Sequence, residues 1–502
     1  MTELPHWLTP LPDAEAMRAV DRWAISERGV PSLDLMERAG EGVARAVEEL
    51  APDGPVRVFC GKGNNGGDGL VAARLLRAAG RRVDVVSVAD PDELEGDARV
   101  NLERLPGAGP LRLDLDPWGE PAQAQRRPPE PVATVDALLG TGFAGEPHGG
   151  ARDGIVAVNA TGVPVVAVDV PSGVDASTGA VAGPAVGATT TVTFHAAKAG
   201  LWINPGKGHA GEVVVIDIGI PRGAPLSARV GLIEDTIESE LPRRGRAWTK
   251  FLSGQVVVVG SSRGLSGAPA MAGRASMRAG GGYVTVCTPA AVQPILATAG
   301  SPELMTRALA EEDGGFSAAA VSGAIDALGR GGVFALGPGL GRTGGALAFA
   351  RELAAQADAP MVLDADGLNA HAGRLESLTA RAKPSILTPH AGELGRLLEV
   401  DSAEIERERL ARVREAARSA HAVVVLKGDD SLIADADGRV AVSAGGTPAL
   451  ATAGTGDVLT GVVAAMLAQG LDPFAAAAAG VWLHARAGRL AARRVGAIEG
   501  VM

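Results

Sequence analysis

One pattern, run through twice, constrains this chain most: short stretches of consecutive β-branched and apolar residues, each followed by a segment with helical periodicity. In the front half the stretches are 56–60, 82–88, 134–139, 163–170, 189–194 and 213–218, with a helix predicted over 68–79. In the back half they are 255–260, 283–287, 332–336, 361–363, 385–387 and 423–426. Strands apolar at every position are covered on both faces, and helices between them supply the cover, so each half reads as a parallel sheet in a three-layer α/β/α domain. Between the halves, 221–253 loses periodicity and Pro242-Arg243-Arg244-Gly245-Arg246 is polar and charged. The expected organisation is a domain over 1–225, a linker over 226–250 and a second domain over 251–502.

Charge and cysteine usage exclude several classes. The 47 Lys and Arg against 58 Asp and Glu give a net charge of −11 with no basic stripe, which argues against nucleic acid or an anionic membrane as partner. Cys60 and Cys287 end strands in different halves, so neither a disulfide framework nor a cysteine metal site is expected, and a reducing compartment fits. Residues 1–13 lack a cationic start followed by an apolar run, so no signal peptide is expected and the location reads as cytoplasmic. The most apolar region, 461–488, is broken by Gln469, Asp472 and Pro473 and reads as two buried helices, not a membrane span. Prolines cluster between 105 and 132, including Arg126-Arg127-Pro128-Pro129-Glu130-Pro131, and read as a surface excursion.

Chemistry is concentrated at glycine-rich loops that follow strands and open helices, where backbone N–H groups and the helix dipole favour an anion such as phosphate. The first is Gly61-Lys62-Gly63-Asn64-Asn65-Gly66-Gly67-Asp68-Gly69; its glycine spacing is wrong for a dinucleotide fingerprint, and its amide oxygens suit a monovalent cation. Asp136 precedes a second turn, Gly140-Thr141-Gly142-Phe143-Ala144-Gly145-Glu146, and Asp169-Val170-Pro171-Ser172-Gly173-Val174-Asp175 repeats the design. At the carboxyl ends of parallel strands all three loops can face one crevice. The back half carries Gly260-Ser261-Ser262-Arg263-Gly264-Leu265-Ser266-Gly267-Ala268-Pro269, Gly337-Pro338-Gly339-Leu340-Gly341, Thr388-Pro389-His390-Ala391-Gly392-Glu393, Lys427-Gly428-Asp429-Asp430-Ser431 and Ala453-Gly454-Thr455-Gly456-Asp457. The last is a kinase-type arrangement: glycine amides stabilise a transferring phosphoryl group while the adjacent aspartate takes a hydroxyl proton. Asp364 and Asp366 read equally as a magnesium or nucleotide pair and as turn residues, Lys198 as a crevice or a structural lysine, and His484 as a core histidine.

The front motifs, with Met36-Glu37-Arg38-Ala39-Gly40 upstream, resemble the NAD(P)H-hydrate epimerase family over about 11–240, a Rossmann-like fold. The back motifs resemble the ADP-dependent NAD(P)H-hydrate dehydratases of the ribokinase-like superfamily over about 245–495. The resemblance implies a potassium site from Asn65, Asp136 and Ser172. It implies hydrate contacts from Asn64, Asn65, Gly66, Gly67 and Asp68, from Gly140, Thr141, Gly142, Phe143, Ala144, Gly145 and Glu146, and from Asp169, our expected acid–base group. In the second half it implies substrate contacts at Ala268, Gly339, His390 and Asp457, with Asp457 the catalytic base. Adenine nucleotide is expected at Lys427, Gly428, Asp429, Asp430, Ser431 and Gly456, as ADP or ATP with magnesium. The implied activity is repair of hydrated NADH and NADPH: epimerisation of the R and S hydrates, then ADP-dependent dehydration of the S form, by a homo-oligomer. The other reading is a hydroxyl kinase for a vitamin or sugar with a dinucleotide-sensing front domain. The stretch 443–448 lacks an asparagine the dehydratase family often shows before its proline.

Overall fold

Val256-Val257-Val258-Val259 shows why the strands form: β-branched side chains are stiff at χ1 and pack well on a pleated surface, and all four are fully buried. The computed structural model describes residues 4–113, 129–299, 301–329 and 331–501. They form two compact units, Pro10–Val230 and Met1–Thr9 with Gly231–Met502.

The first unit holds a seven-stranded sheet, ordered Leu111–Arg112, Val83–Ser87, Val56–Cys60, Ala133–Ala137, Val165–Val168, Thr190–Phe194, Glu212–Ile216, with every pairing parallel. The chain enters in the middle, builds outward to one side, then returns to build the other. The direction therefore reverses between Val56–Cys60 and Ala133–Ala137, and the crevice beyond the carboxyl ends there is where such sheets take ligands. The predicted strands match to within a few residues. The proline-rich excursion falls largely on 114–128, outside the described residues.

The second unit has an eleven-stranded sheet. From Met305–Leu309 it runs through Tyr283–Pro289, Gln255–Val259, Val333–Leu336, Met361–Leu363, Ser385–Leu387 and Val423–Leu426, all parallel, with the same reversal between Gln255–Val259 and Val333–Leu336. Leu432–Ala434 and Val440–Val442 continue it antiparallel, followed by Val230–Ile233 and Leu8–Pro10.

The last two strands correct the expected borders. Residues 4–9, read as part of the first domain, and most of 226–250, read as linker, belong to the second unit. Burial is the reason: Trp7, Leu8, Ile233 and Ile237 enter the core of that unit, the Trp7 and Phe474 rings lie 5.8 Å apart, and Trp482 Nε1 donates to Asp235 Oδ1 at 2.9 Å. The apolar 461–488 region is two helices, Thr455–Ala468 and Pro473–Val495. Asp472 caps the second by accepting from the Phe474 and Ala475 amides, and Pro473 supplies a first-turn residue that needs no donor. Among the described residues no helix is long and apolar enough to cross a membrane.

Two candidate active sites

In the first unit the helix Asn64–Ala78 begins four residues before the periodicity predicts, so the glycine-rich loop is itself the first turn. Its N-cap, Gly63, makes no side-chain capping bond, which leaves the first amides facing the crevice. The turn is closed to side chains: a Cβ on Gly66 would sit 2.0 Å from the Gly61 carbonyl oxygen. The second loop crosses it, since a Cβ on Gly140 would lie 3.0 Å from Asn65 Oδ1.

Asp136 is completely buried at the end of its strand and ties the second loop to the third. Its carboxylate accepts the Ser172 amide at 2.8 Å, the Ser172 hydroxyl at 2.6 Å and the Leu138 amide at 3.3 Å, while the Leu139 amide donates to Ser172 Oγ at 2.9 Å. Burial pushes the Asp136 carboxyl up to about 6 against these hydrogen bonds. Asp169 follows its strand with φ at 67°, in the left-handed region. It accepts from Lys198 Nζ at 2.6 Å, Thr193 Oγ1 at 3.3 Å, the Thr141 amide at 3.1 Å and the Thr141 hydroxyl. Phe143 closes a turn by donating its amide to Gly140, and Gly142, Ala144, Gly145 and Glu146 are exposed along the crevice loop. The structure thus brings together all three predicted loops. It adds Thr193 and, within electrostatic reach, Asp21 from the helix Ala14–Arg22, neither of which the sequence points to, and it sets Lys198, readable as a crevice or a structural lysine, against Asp169.

In the second unit the helix Thr455–Ala468 starts at Gly454, with Gly456 and Asp457 in its first turn. Lys427 Nζ stands 3.6 Å from where a Cβ on Gly456 would be, placing an ammonium over a helix N-terminus. That ammonium is held by Asp364 at 3.0 Å and Glu393 at 3.5 Å; burial opposes its charge, but the two carboxylates outweigh burial and hold it above the usual lysine range. Burial, reinforced by Asp364 and opposed by Lys427, pushes Asp457 up to about 6. Ala268, second in the helix Gly267–Arg278, lies 3.3 Å from a Cβ position on Gly339, so these two predicted substrate contacts adjoin.

Three predicted residues bond to neighbouring protein groups. His390 caps the helix Ala391–Leu398: Nδ1 accepts from the Gly392 and Glu393 amides while Glu393 accepts from the His390 amide. Asp430 is buried in an ion pair with Arg409, and the Ser431 hydroxyl folds back onto the Gly428 carbonyl at 2.7 Å. Gly428 and Asp429 are exposed at the rim. Of the Asp364 and Asp366 pair, Asp366 serves the turn, accepting from the Gly341 amide, Arg342 and Asn369, whereas Asp364 holds Lys427. His484, read as core, is half-buried and feels both Lys427 and the Thr455 backbone; burial and that ammonium press its imidazole down to about 4.

Gly337, with φ at 125°, has Asp364 O only 1.9 Å from a Cβ position. Gly337→Ala is expected to cost about 1–3 kcal/mol of overpacking plus backbone strain, read as an earlier thermal transition of the whole chain together with weakened dehydration, because it displaces Asp364.

Residues 32–200 match the family described as YjeF-related protein N-terminus, and 256–501 match NAD(P)H-hydrate dehydratase. The bifunctional NAD(P)H-hydrate repair enzyme Nnr of Moorella thermoacetica is 41% identical over 491 residues, covering 96% of this chain and 92% of that one. The chain belongs to the bifunctional NAD(P)H-hydrate repair enzymes. The Nnr of Salinibacter ruber is also 41% identical, over 97% of this chain and 92% of its own. A solved ADP/ATP-dependent NAD(P)H-hydrate dehydratase from Bacillus subtilis, co-crystallised with ATP and Mg²⁺, is 31% identical over 53% of this chain and 90% of that chain, with a TM-score of 0.46. Relatives matched over both halves set aside a kinase with a sensing front domain, and they make this repair enzyme an isomerase and a lyase on one chain.

Proposed function

We propose that the first unit interconverts the R and S hydrates of NADH and NADPH at Asp169, and that the second dehydrates the S hydrate with ADP at Asp457. One observation carries this reading: in each unit a glycine-opened helix N-terminus stands beside a buried or partly buried carboxyl group. In the second site the amides of the first turn and Lys427 neutralise charge on the phosphoryl group in transfer while Asp457 takes the proton of the C6 hydroxyl. The C6 phosphate then leaves with its bonding electrons, a C5 proton departs, and the C5=C6 double bond of the dihydronicotinamide is restored. Magnesium would supply charge neutralisation as the counter-ion of the nucleotide phosphates, near Asp364.

A potassium ion fits the first site. Asn65 Oδ1, the Asp136 carboxylate and Ser172 Oγ form a hard-oxygen donor set, and Asn65 Nδ2 is buried without a hydrogen-bond partner, so that amide is not held by other protein groups. There the ion would offset the charge of Asp136 and anchor an anionic substrate group. Asp136→Asn is expected to raise the potassium concentration for half-maximal epimerisation by about 10–100-fold; an unchanged midpoint in a potassium titration removes the site.

The purified chain, given both hydrates with magnesium, potassium and either ADP or ATP, should restore the full dihydronicotinamide absorbance with one donor preferred. Recovery confined to one epimer rejects the epimerase role, and no recovery rejects the dehydratase role. The same reading includes a homo-oligomer in the cytoplasm, the first of which sedimentation of the full chain measures.

A further inference from the structure

Lys198 is 1% exposed and is among the largest fully buried side chains of the described residues. An ammonium has three N–H donors, and acceptors surround all of them: Asp169 Oδ1 at 2.6 Å, Thr193 Oγ1 at 2.8 Å and the Phe194 carbonyl at 3.1 Å. Its charge is committed to Asp169. Asp169 in turn is held by Thr141 on its other oxygen, with a backbone conformation that non-glycine residues keep only when their surroundings enforce it.

Two more carboxyl groups lie within electrostatic reach of this pair, Asp21 from the helix Ala14–Arg22 and Asp68, 9% exposed, from the helix Asn64–Ala78. His195 is within electrostatic reach of both Lys198 and Asp217. Three carboxyls therefore share one ammonium whose donors are spent. A second buried carboxylate beside Asp169 would be uncompensated, which favours the protonated form of the buried Asp68. In keeping with this count, burial, then Asp169 and Asp21, push the Asp68 carboxyl well above its usual range, whereas Lys198 and Thr141 overcome burial and hold Asp169 below it.

We propose that Lys198 is a positioning residue that divides the acid–base work of epimerisation, making Asp68 the acid for the departing C6 hydroxyl and Asp169 the base for the returning water. The C6–O bond breaks with its electron pair going to oxygen, the Asp68 proton passes to that oxygen to form water, and the ring-nitrogen lone pair closes a C6=N bond. Water then adds to C6 from the opposite face, the C6=N pair returns to nitrogen, and Asp169 takes the proton that water loses. One proton has passed from Asp68 to Asp169, and its return across the cluster resets the site. This rests on the reading of Asp169 given above and refines the single acid–base carboxyl expected from sequence, because a carboxylate held ionised is a poor first proton donor.

The test is the pH profile of kcat/KM for interconversion of the separated hydrates by the full chain without nucleotide, corrected for the buffer rate. A wild-type chain that does not epimerise overturns the function reading; the division of labour is decided on variants of a chain that does. Lys198→Met should move the acid limb up by more than one pH unit, with a loss of at least about tenfold at pH 6 that shrinks as pH rises. An unmoved limb, or a loss equal at every pH, overturns the positioning role. If that variant does not fold, Asp68→Asn decides: loss of the basic limb with a fall of about 10²–10⁴-fold supports the proposal, and a basic limb at the wild-type position overturns it.

Discussion

Asp457→Asn is expected to abolish nucleotide-driven recovery of dihydronicotinamide absorbance while the two hydrates still interconvert. Loss of a positioned general base costs about 10²–10⁴-fold, and the amide keeps the shape of the first turn, so nucleotide binding should survive. The pH dependence follows from the same side chain. With its carboxyl near 6, Asp457 is ionised and competent above that pH, so wild-type kcat/KM should fall about tenfold for each pH unit below it. The variant's residual rate should lose that limb. A wild-type profile flat from pH 5 to 8, or a variant with undiminished dehydration, removes Asp457 from the chemistry.

The shift at Asp457 also explains why Lys427 is pinned where it is. Burial and Asp364 raise the base and Lys427 lowers it, and Asp364 and Lys427 are bonded to each other, so the helix N-terminus gains an ammonium for phosphate while the base stays near 6. A lysine free to reach Asp457 would hold it ionised and weaken it as a base. Glu393, which reciprocates the His390 cap, is the second tether on that lysine. The 388–393 segment is thus tied to Lys427 through Glu393, by way of helix geometry.

Strands such as Met361–Leu363, Ser385–Leu387 and Val423–Leu426 were legible to the residue because they are buried on both faces and carry no polar alternation to blur them. The start of the helix at Asn64 was not, since Asn-Asn-Gly-Gly has poor intrinsic helix propensity and is helical only in its tertiary setting. Leu8–Pro10 and Leu432–Ala434 were not legible either, since they pair only at the edge or antiparallel end of a sheet formed by other strands. The loops of both sites could be read because glycine and aspartate stand at fixed local offsets. Their electrostatic partners could not: Lys198 meets Asp169 across 29 positions, and Arg409 meets Asp430 across 21, with no spacing to announce either pair. The Asp430 case shows the cost, since a carboxylate in a binding motif turned out to neutralise a buried arginine.

Asp169→Asn is expected to produce the complementary failure. Dehydration acts on one epimer, so recovery from a mixed pool should proceed at the wild-type initial rate and then stop at the fraction initially present as that epimer, creeping onward only as fast as the hydrates interconvert in buffer. Interconversion itself should fall by about 10²–10⁴-fold. The substitution leaves Lys198 as a buried ammonium without its counter-ion, and breaking a buried pair from one side costs about 3–5 kcal/mol, so an earlier melting transition should accompany the loss. Asp169→Asn combined with Lys198→Met removes both charges and should recover much of that stability without recovering activity, separating the structural contribution of the pair from its chemical one. A double variant that regained epimerisation would show that the carboxylate orients substrate and carries no proton.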